Sequence, residues 1–104
     1  MSLPKFHLPR ETVEIDGEFI EIRGLTAAET ARFEKMVATG AAWDQLEIGV
    51  IAAGTETPED EIAIWYQDNP RHVATALSNA IRRISRVDEE ARKSGGEGDR
   101  AGGG

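Results

Sequence analysis

Residues 11–22 read ETVEIDGEFIEI, in which apolar and polar side chains alternate on both sides of Asp16-Gly17. An alternation with a period of two is typical of half-buried strands, and Asp-Gly is a preferred two-residue hairpin turn. With that pair at the centre of the turn, Val13 lies opposite Ile20, and both share one face with Ile15 and Ile22. A lone hairpin is marginally stable in water, so this face must pack on another element.

The sequence after the hairpin predicts two helices in succession. Thr26 and Glu29 have the spacing of a capping box at the start of the first helix, and Gly40 can close it. The second helix is predicted over about 41–53, with Gly54 as its stop. Its apolar stripe has Ile51 at the margin and consists of Trp43, Leu46, Val50 and Ala53.

Two more helices are predicted downstream. Thr57 supplies a capping hydroxyl for the third helix, Pro58 suits its first position, and Asn69-Pro70 ends it. The fourth helix covers about 70–93. Its apolar stripe at helical spacing is Val73, Ala76, Leu77, Ala80, Ile81, Ile84 and Val87.

These elements predict an α+β fold that is mostly helical, with an N-terminal β-hairpin followed by about four helices. Residues 1–9 contain two prolines and form an irregular N-terminal arm, and residues 10–93 form a single α+β domain. Residues 94–104 are rich in glycine and hold no large apolar side chain. Such a segment cannot bury enough surface to order itself, so it is predicted to be a flexible tail.

Composition excludes several classes of function. The 104 residues carry a formal charge of -7, which disfavours binding to nucleic acid, because phosphate contacts require an excess of Lys and Arg. No apolar run approaches the length of a membrane span, and no signal peptide opens the chain. The absence of cysteine rules out disulfides, thiolate metal sites and cysteine nucleophiles.

The residues that carry most enzyme chemistry are scarce or isolated. His7 and His72 are the only histidines, and neither has a metal ligand at helical spacing. The acidic run at 59–61 lacks the alternating donors and the glycine of a calcium loop, so it is interpreted as a solvated first helical turn. We therefore expect a protein that is not an enzyme, with no catalytic residues, no metal and no cofactor.

An excess of apolar side chains indicates a protein-binding surface. Ile64 lies opposite Ile62 on the third helix, and Ile48 lies outside the stripe of the second. A short helix that is apolar on both sides is either enclosed or presents one side to a partner. A role in the core remains the alternative for the aromatic residues. The candidate contact residues are Trp43, Ile48, Ile64, Trp65 and Tyr66.

Charge is distributed unevenly along the chain. Between Met36 and Pro70 there are seven acids and no Lys or Arg, whereas residues 71–93 carry six bases and three acids. Either these regions attract each other or meet water, or they form a dipolar surface that orients a charged partner. In the second case Arg82, Arg83 and Arg86 steer the partner.

The order and spacing of these motifs resemble a known family. The hairpin leads into Arg23-Gly24-Leu25-Thr26-Ala27-Ala28-Glu29, and an apolar helix ending in Val50-Ile51-Ala52-Ala53-Gly54 follows. After the Thr-Pro-Glu-Asp start at 57–60, the closing helix contains Ala80-Ile81-Arg82-Arg83-Ile84-Ser85. Over roughly residues 10–87 the chain resembles the tail assembly chaperones of long-tailed bacteriophages.

The resemblance implies a non-enzymatic assembly factor in the host cytoplasm. Chaperones of this family bind and solubilise the tape measure protein, help to recruit tail tube subunits, and are absent from the mature virion. Many are also made in a longer, frameshifted form, to which the Gly-rich tail would be the linker. The alternatives are a structural virion component, such as a small tail or head–tail joining subunit, and a bacterial adaptor domain.

Overall fold

The computed structural model describes residues 3–85 and has the predicted α+β, mostly helical architecture, a hairpin followed by four helices. The predicted residues Arg86 and Val87, the end of the last helix and the 94–104 tail lie outside this range. The elements are β1 (Arg10–Ile15), β2 (Glu18–Arg23), α1 (Ala27–Ala38), α2 (Trp43–Thr55), α3 (Glu59–Asp68) and α4 (71–85).

The hairpin has the predicted register. Val13 pairs with Ile20 and Ile15 with Glu18, so the turn contains only Asp16 and Gly17. Both turn residues have positive φ, 52° and 85°, which is the backbone of a type I′ turn. Ile22 on the inner face is fully buried, and Val13, Ile15 and Ile20 pack beside it, so the hairpin covers one side of the helical core.

The start of α1 forms the predicted capping box. Glu29 N donates to Thr26 Oγ1 at 3.0 Å, and Thr26 N donates to Glu29 Oε1 at 2.9 Å. Arg23 at the end of β2 adds a bidentate contact, with Nη1 and Nη2 at 2.9 and 3.0 Å from the two oxygens of Glu29. The Arg23 hydrogen bonds, together with the Thr26 N–H, lower the pKa of Glu29 to about 2.

Helix α2 is the centre of the core. Ile51, which was expected at the margin of the apolar stripe, is fully buried, and so is Val50. Ala52 and Gly54 in the last turns of the helix are buried as well. Gly54 does not end the helix, which continues to Thr55 and is capped by Glu56 in the left-handed region. A Cβ at Gly54 would collide with the side chain of Ile81, so this glycine lets α4 approach α2 closely.

Two local predictions for α3 and α4 are wrong in detail. Thr57 does not cap α3, because its hydroxyl donates to the Thr55 carbonyl and Pro58 occupies the cap position. On α4, Ala76 is exposed, whereas Ala74 and Ser78 are buried. Contact with α2 therefore rotates the buried face of α4 relative to the stripe inferred from its larger apolar residues.

The N-terminal arm, residues 3–9, has no regular secondary structure, as predicted. Its end is nevertheless fixed, because Gly24 N donates to the Pro9 carbonyl at 2.7 Å. A Cβ at Gly24 would lie 2.7 Å from Pro9 Cγ, so this glycine permits the close approach. The arm thus reaches β1 along the β2–α1 connection. Within residues 3–85, no helix has the length and hydropathy of a membrane span.

We expect Glu29→Gln to flatten the acid dependence of stability. The folded state lowers the pKa of Glu29 from 4.5 to about 2, so its carboxylate stabilises the fold above pH 4.5 and this contribution is lost as the pH falls towards 2. After allowance for solvent screening, the contribution is about 1–2 kcal/mol. Gln can still accept from Thr26 N, so the substitution tests charge rather than capping. Urea unfolding at pH 7 and pH 3 measures the effect. If Glu29→Gln loses as much free energy of unfolding between these pH values as the unmodified chain, the assignment is contradicted.

Candidate functional site

An open groove lined by both apolar and polar side chains, with a volume of about 370 Å³, lies on the surface of residues 3–85. That volume suits a few apolar side chains rather than a whole helix, and it falls within the range of ligand sites in proteins. Its walls come from the end of the arm, the β2–α1 connection and helices α1, α2 and α4. The apolar lining is Leu8, Pro9, Leu25, Ala27, Phe33, Val37, Leu46 and Val50, and the polar lining is Thr26, Thr30, Glu34, Arg82 and Ser85.

One glycine and one serine hold the groove walls in place. Gly49 on α2 has no side chain, so Phe33 of α1 packs directly over it, and a Cβ there would lie 2.8 Å from Phe33 Cε1. On the other wall, the Ser85 hydroxyl of α4 accepts from Leu25 N at 2.8 Å and donates to the Ile81 carbonyl. The groove is therefore a product of fixed contacts between elements that are distant in sequence.

The groove has an apolar base and one exposed apolar side chain, Val37, at a rim that also carries charged and polar residues. Phe33, Leu46 and Val50 are buried and belong to the core. Val37, one turn after Phe33 on α1, is 61% exposed. An exposed valine that continues a buried apolar surface outwards is what a partner side chain would cover.

Arg82 gives the groove a cationic edge. Its Cζ lies 5.3 Å from the centre of the Trp43 ring, within the range of a cation–π contact. Nη2 donates to Asn79 Oδ1 at 2.6 Å, whereas Nε is buried and has no hydrogen-bond acceptor among the described residues. Trp43 is 47% exposed, so the indole and the guanidinium form one mixed surface beside the groove.

The predicted contact residues do not form a single surface. Trp43 does not line the groove itself but contacts the lining residue Arg82. Ile64 is 65% exposed on α3, and no residue of α3 lines the groove. Ile48, Trp65 and Tyr66 are half-buried and pack against the core. Arg83 forms an ion pair with Glu11 on β1 at 3.0 Å, and Arg86 lies outside the described residues.

The groove residues that the sequence did not indicate as contacts include Leu8, Leu25, Glu34 and Val37. Leu8 belongs to a segment with no periodic pattern, and Leu25 lies 60 residues before Ser85 of α4, to which it is hydrogen-bonded. A surface assembled from separate elements leaves no local signal in the sequence. The exposed position of Val37 follows from the angle at which α1 packs on α2.

A buried acid explains why Tyr66 is turned inwards. Glu47 on α2 is fully buried, and its carboxylate accepts from Tyr66 Oη at 2.7 Å and from Thr75 Oγ1 at 3.1 Å. The three side chains join α2, α3 and α4 through hydroxyl donors rather than a salt bridge. Burial and the hydrogen bond to Glu47 together raise the pKa of Tyr66 to about 12.

The acidic middle segment pairs with the N-terminal part of the domain rather than with α4. Glu56 lies 3.4 Å from Arg10 and 3.3 Å from Arg23, and Glu59 lies 2.6 Å from Arg32. The attraction to the last helix, which is one part of the first charge hypothesis, is not found for Glu56 and Glu59 among residues 3–85. The other part, contact with water, applies to the exposed acids Asp44, Asp60, Glu61 and Asp68. Exposed ion pairs of this kind contribute little to the free energy of unfolding.

Two further features bear on chemistry. His72 at the start of α4 lies 2.6 Å from Asp16 in the hairpin turn, an exposed contact that links the two elements. Residues 3–85 contain no group of three or more His, Asp and Glu residues placed to hold a metal ion. The groove itself offers apolar contact, the hydroxyl groups of Thr26, Thr30 and Ser85, one cationic edge at Arg82 and one acidic group at Glu34.

Neither family models, nor curated protein sequences, nor solved structures give a match to this chain. The function must therefore be argued from the groove and from the residues that carry the family resemblance.

We expect Tyr66, the single tyrosine in the chain, to titrate near pH 12. The folded state favours the neutral phenol, so this contribution to stability is present below pH 10 and is lost as the pH rises towards 12. Near-ultraviolet absorbance of the phenolate measures the midpoint in native and urea-unfolded protein. Glu47→Gln should move the native midpoint downwards while burial keeps it above 10. A native midpoint equal to the unfolded one would contradict the inward placement of the hydroxyl.

Thr75→Val should destabilise the domain by about 1–3 kcal/mol, because it leaves the buried Glu47 carboxylate with one hydroxyl donor. Valine preserves the shape of the side chain, so packing is nearly unchanged. Thr12→Val is the matched control, since Thr12 is exposed on β1 and the same change there should stay within about 0.5 kcal/mol. Equal effects in the two variants by urea denaturation would show that the Glu47 cluster contributes nothing to stability.

Proposed function

We propose that this protein is a tail assembly chaperone of a long-tailed bacteriophage, which covers apolar helix faces of the tape measure protein in its groove. It acts in the host cytoplasm without enzymatic chemistry and helps to recruit tail tube subunits. It dissociates from the tail before the virion is complete. The observation that carries the proposal is the open groove between α1, α2 and α4, which has an apolar base and Val37 exposed at its rim.

The shape of the groove supports a helical occupant. Its lining is mainly aliphatic and aromatic, and its volume of about 370 Å³ accepts a few side chains of one helix face. An amphipathic helix inserts residues from successive turns into a groove of this kind while its polar face stays in water. Because the groove is supported by the core residues Phe33, Leu46 and Val50, it can bind without being remodelled.

The charge of the chain supports a solubilising role. A partner covered by this domain gains an acidic surface, since the chain has a formal charge of -7. A net charge far from zero keeps complexes soluble and opposes aggregation of apolar helices. The Arg-x-Leu-Thr-x-x-Glu passage at 23–29 supports the family assignment, and its Leu25 and Thr26 line the groove.

Co-expression with fragments that tile the tape measure protein tests the proposal. We expect at least one fragment to co-elute with the chain in size-exclusion chromatography and to become soluble because of it. If no fragment binds a domain that circular dichroism shows to be folded, the proposed function is wrong. Mass spectrometry of purified virions should not find the chain, and its presence there would favour a structural virion component.

Val37→Asp should reduce binding of the tape measure fragment at least tenfold, because it puts a charge at the apolar rim of the groove. Val37 is 61% exposed, so the fold should tolerate the change. Ile64→Asp is the matched control: Ile64 is 65% exposed, but it lies on α3, outside the groove. Isothermal titration calorimetry compares the two, and a larger loss with Ile64→Asp would contradict binding in the groove.

A further inference from the structure

Building on the proposed function, we infer that Arg82 and Glu34 fix the direction in which a partner helix lies in the groove. The occupant is an amphipathic helix whose apolar stripe has acidic residues along one side and basic residues along the other. Its acidic side faces Arg82 on the α4 wall, and its basic side faces Glu34 on the α1 wall. Turning the helix end to end would exchange the two sides, so only one direction satisfies both charges.

Arg82 lacks a counter-charge within the described part of the chain. The side chain is held in place by the Trp43 ring and by a hydrogen bond to the neutral amide of Asn79. No carboxylate of residues 3–85 lies within salt-bridge distance of it, and its buried Nε has no acceptor. A partly buried guanidinium without an anion is costly, and a carboxylate on a partner would offset that cost.

Glu34 is the complementary group on the other wall. It is exposed on α1, one residue after Phe33, and forms no salt bridge with any residue of 3–85. Neighbouring acids behave differently, since Glu29 is held by Arg23 and Glu59 by Arg32. Glu34 and Arg82 thus line the groove from different helices, and neither has an ionic partner within residues 3–85.

The consequence concerns the assembled complex. Apolar contact is non-directional, so a groove of leucine, valine and phenylalanine alone would accept a helix in both directions. Opposite charges on the two walls make one orientation favourable and bring like charges together in the other. Successive copies bound to one long helix would therefore all have the same polarity along it.

Paramagnetic relaxation enhancement tests the direction with the full-length chain. The probe is a synthetic helical peptide of about 20 residues with a Leu stripe, Glu along one side, Lys along the other and a nitroxide at one terminus. We expect a label at the N-terminus to broaden amide signals at one end of α1, near either Thr30 or Val37. A label at the C-terminus should broaden those at the other end. Equal broadening at both ends from either label would overturn the inference while leaving binding in the groove intact.

Charge exchange provides the second test. In the double variant Glu34→Arg/Arg82→Glu, the same peptide should bind in the reversed direction, so the two broadening patterns should be interchanged. An unchanged direction would overturn the inference, because the apolar lining would then set the orientation.

A third test uses Arg82→Gln, which removes the positive charge without introducing a negative one beside Trp43. Arg82→Gln should weaken binding of the Glu/Lys peptide about fivefold to tenfold and leave binding of a peptide with Gln in place of Glu unchanged. Equal weakening of both peptides would overturn the charge contact. Failure of both peptides to bind the unmodified chain would overturn the inference, whereas the proposed function is judged separately by the tape measure fragments.

Discussion

The close packing of two helices onto α2 is the constraint on which the rest of the structure depends. Gly49 lets Phe33 of α1 lie against the α2 backbone, and Gly54 does the same for Ile81 of α4. A side chain at either position would push its neighbour away, and well-packed cores tolerate such insertions poorly. Because α1 and α4 are held at these two points, the space left between them is fixed, and that space is the groove.

Polar contacts then fix the elements that apolar packing leaves adjustable. The Arg23–Glu29 pair joins β2 to the start of α1, and Ser85 ties α4 to the connection between them. The buried Glu47 of α2 binds α3 and α4 through the hydroxyl groups of Tyr66 and Thr75. A buried carboxylate is stable only when its hydrogen bonds are satisfied, so this cluster specifies one arrangement of the three helices.

The exposed apolar side chains near the groove and the arginine that residues 3–85 leave unpaired are the features that connect the groove with the proposed function. Val37 and Trp43 continue the apolar core to the surface, and Arg82 adds a charge that the described residues leave without a counter-ion. A protein that required only its own stability would gain from covering these groups. Their position along one concave surface suits an amphipathic helix, whose apolar and charged side chains could satisfy both.

The sequence alone was sufficient for the hairpin and for the start of α1. The Asp16-Gly17 turn and the period-two pattern agreed on a single register, and the capping box of Thr26 and Glu29 needed only residues three apart, so both predictions are confirmed. Tertiary structure decided what depends on distant residues: that α2 is largely buried between Leu46 and Gly54, that Gly54 is a contact point rather than a helix stop, and that Tyr66 points inwards to Glu47. The groove belongs to this second group, because its walls come from separate parts of the chain and periodicity within one helix cannot report how two helices are placed against each other.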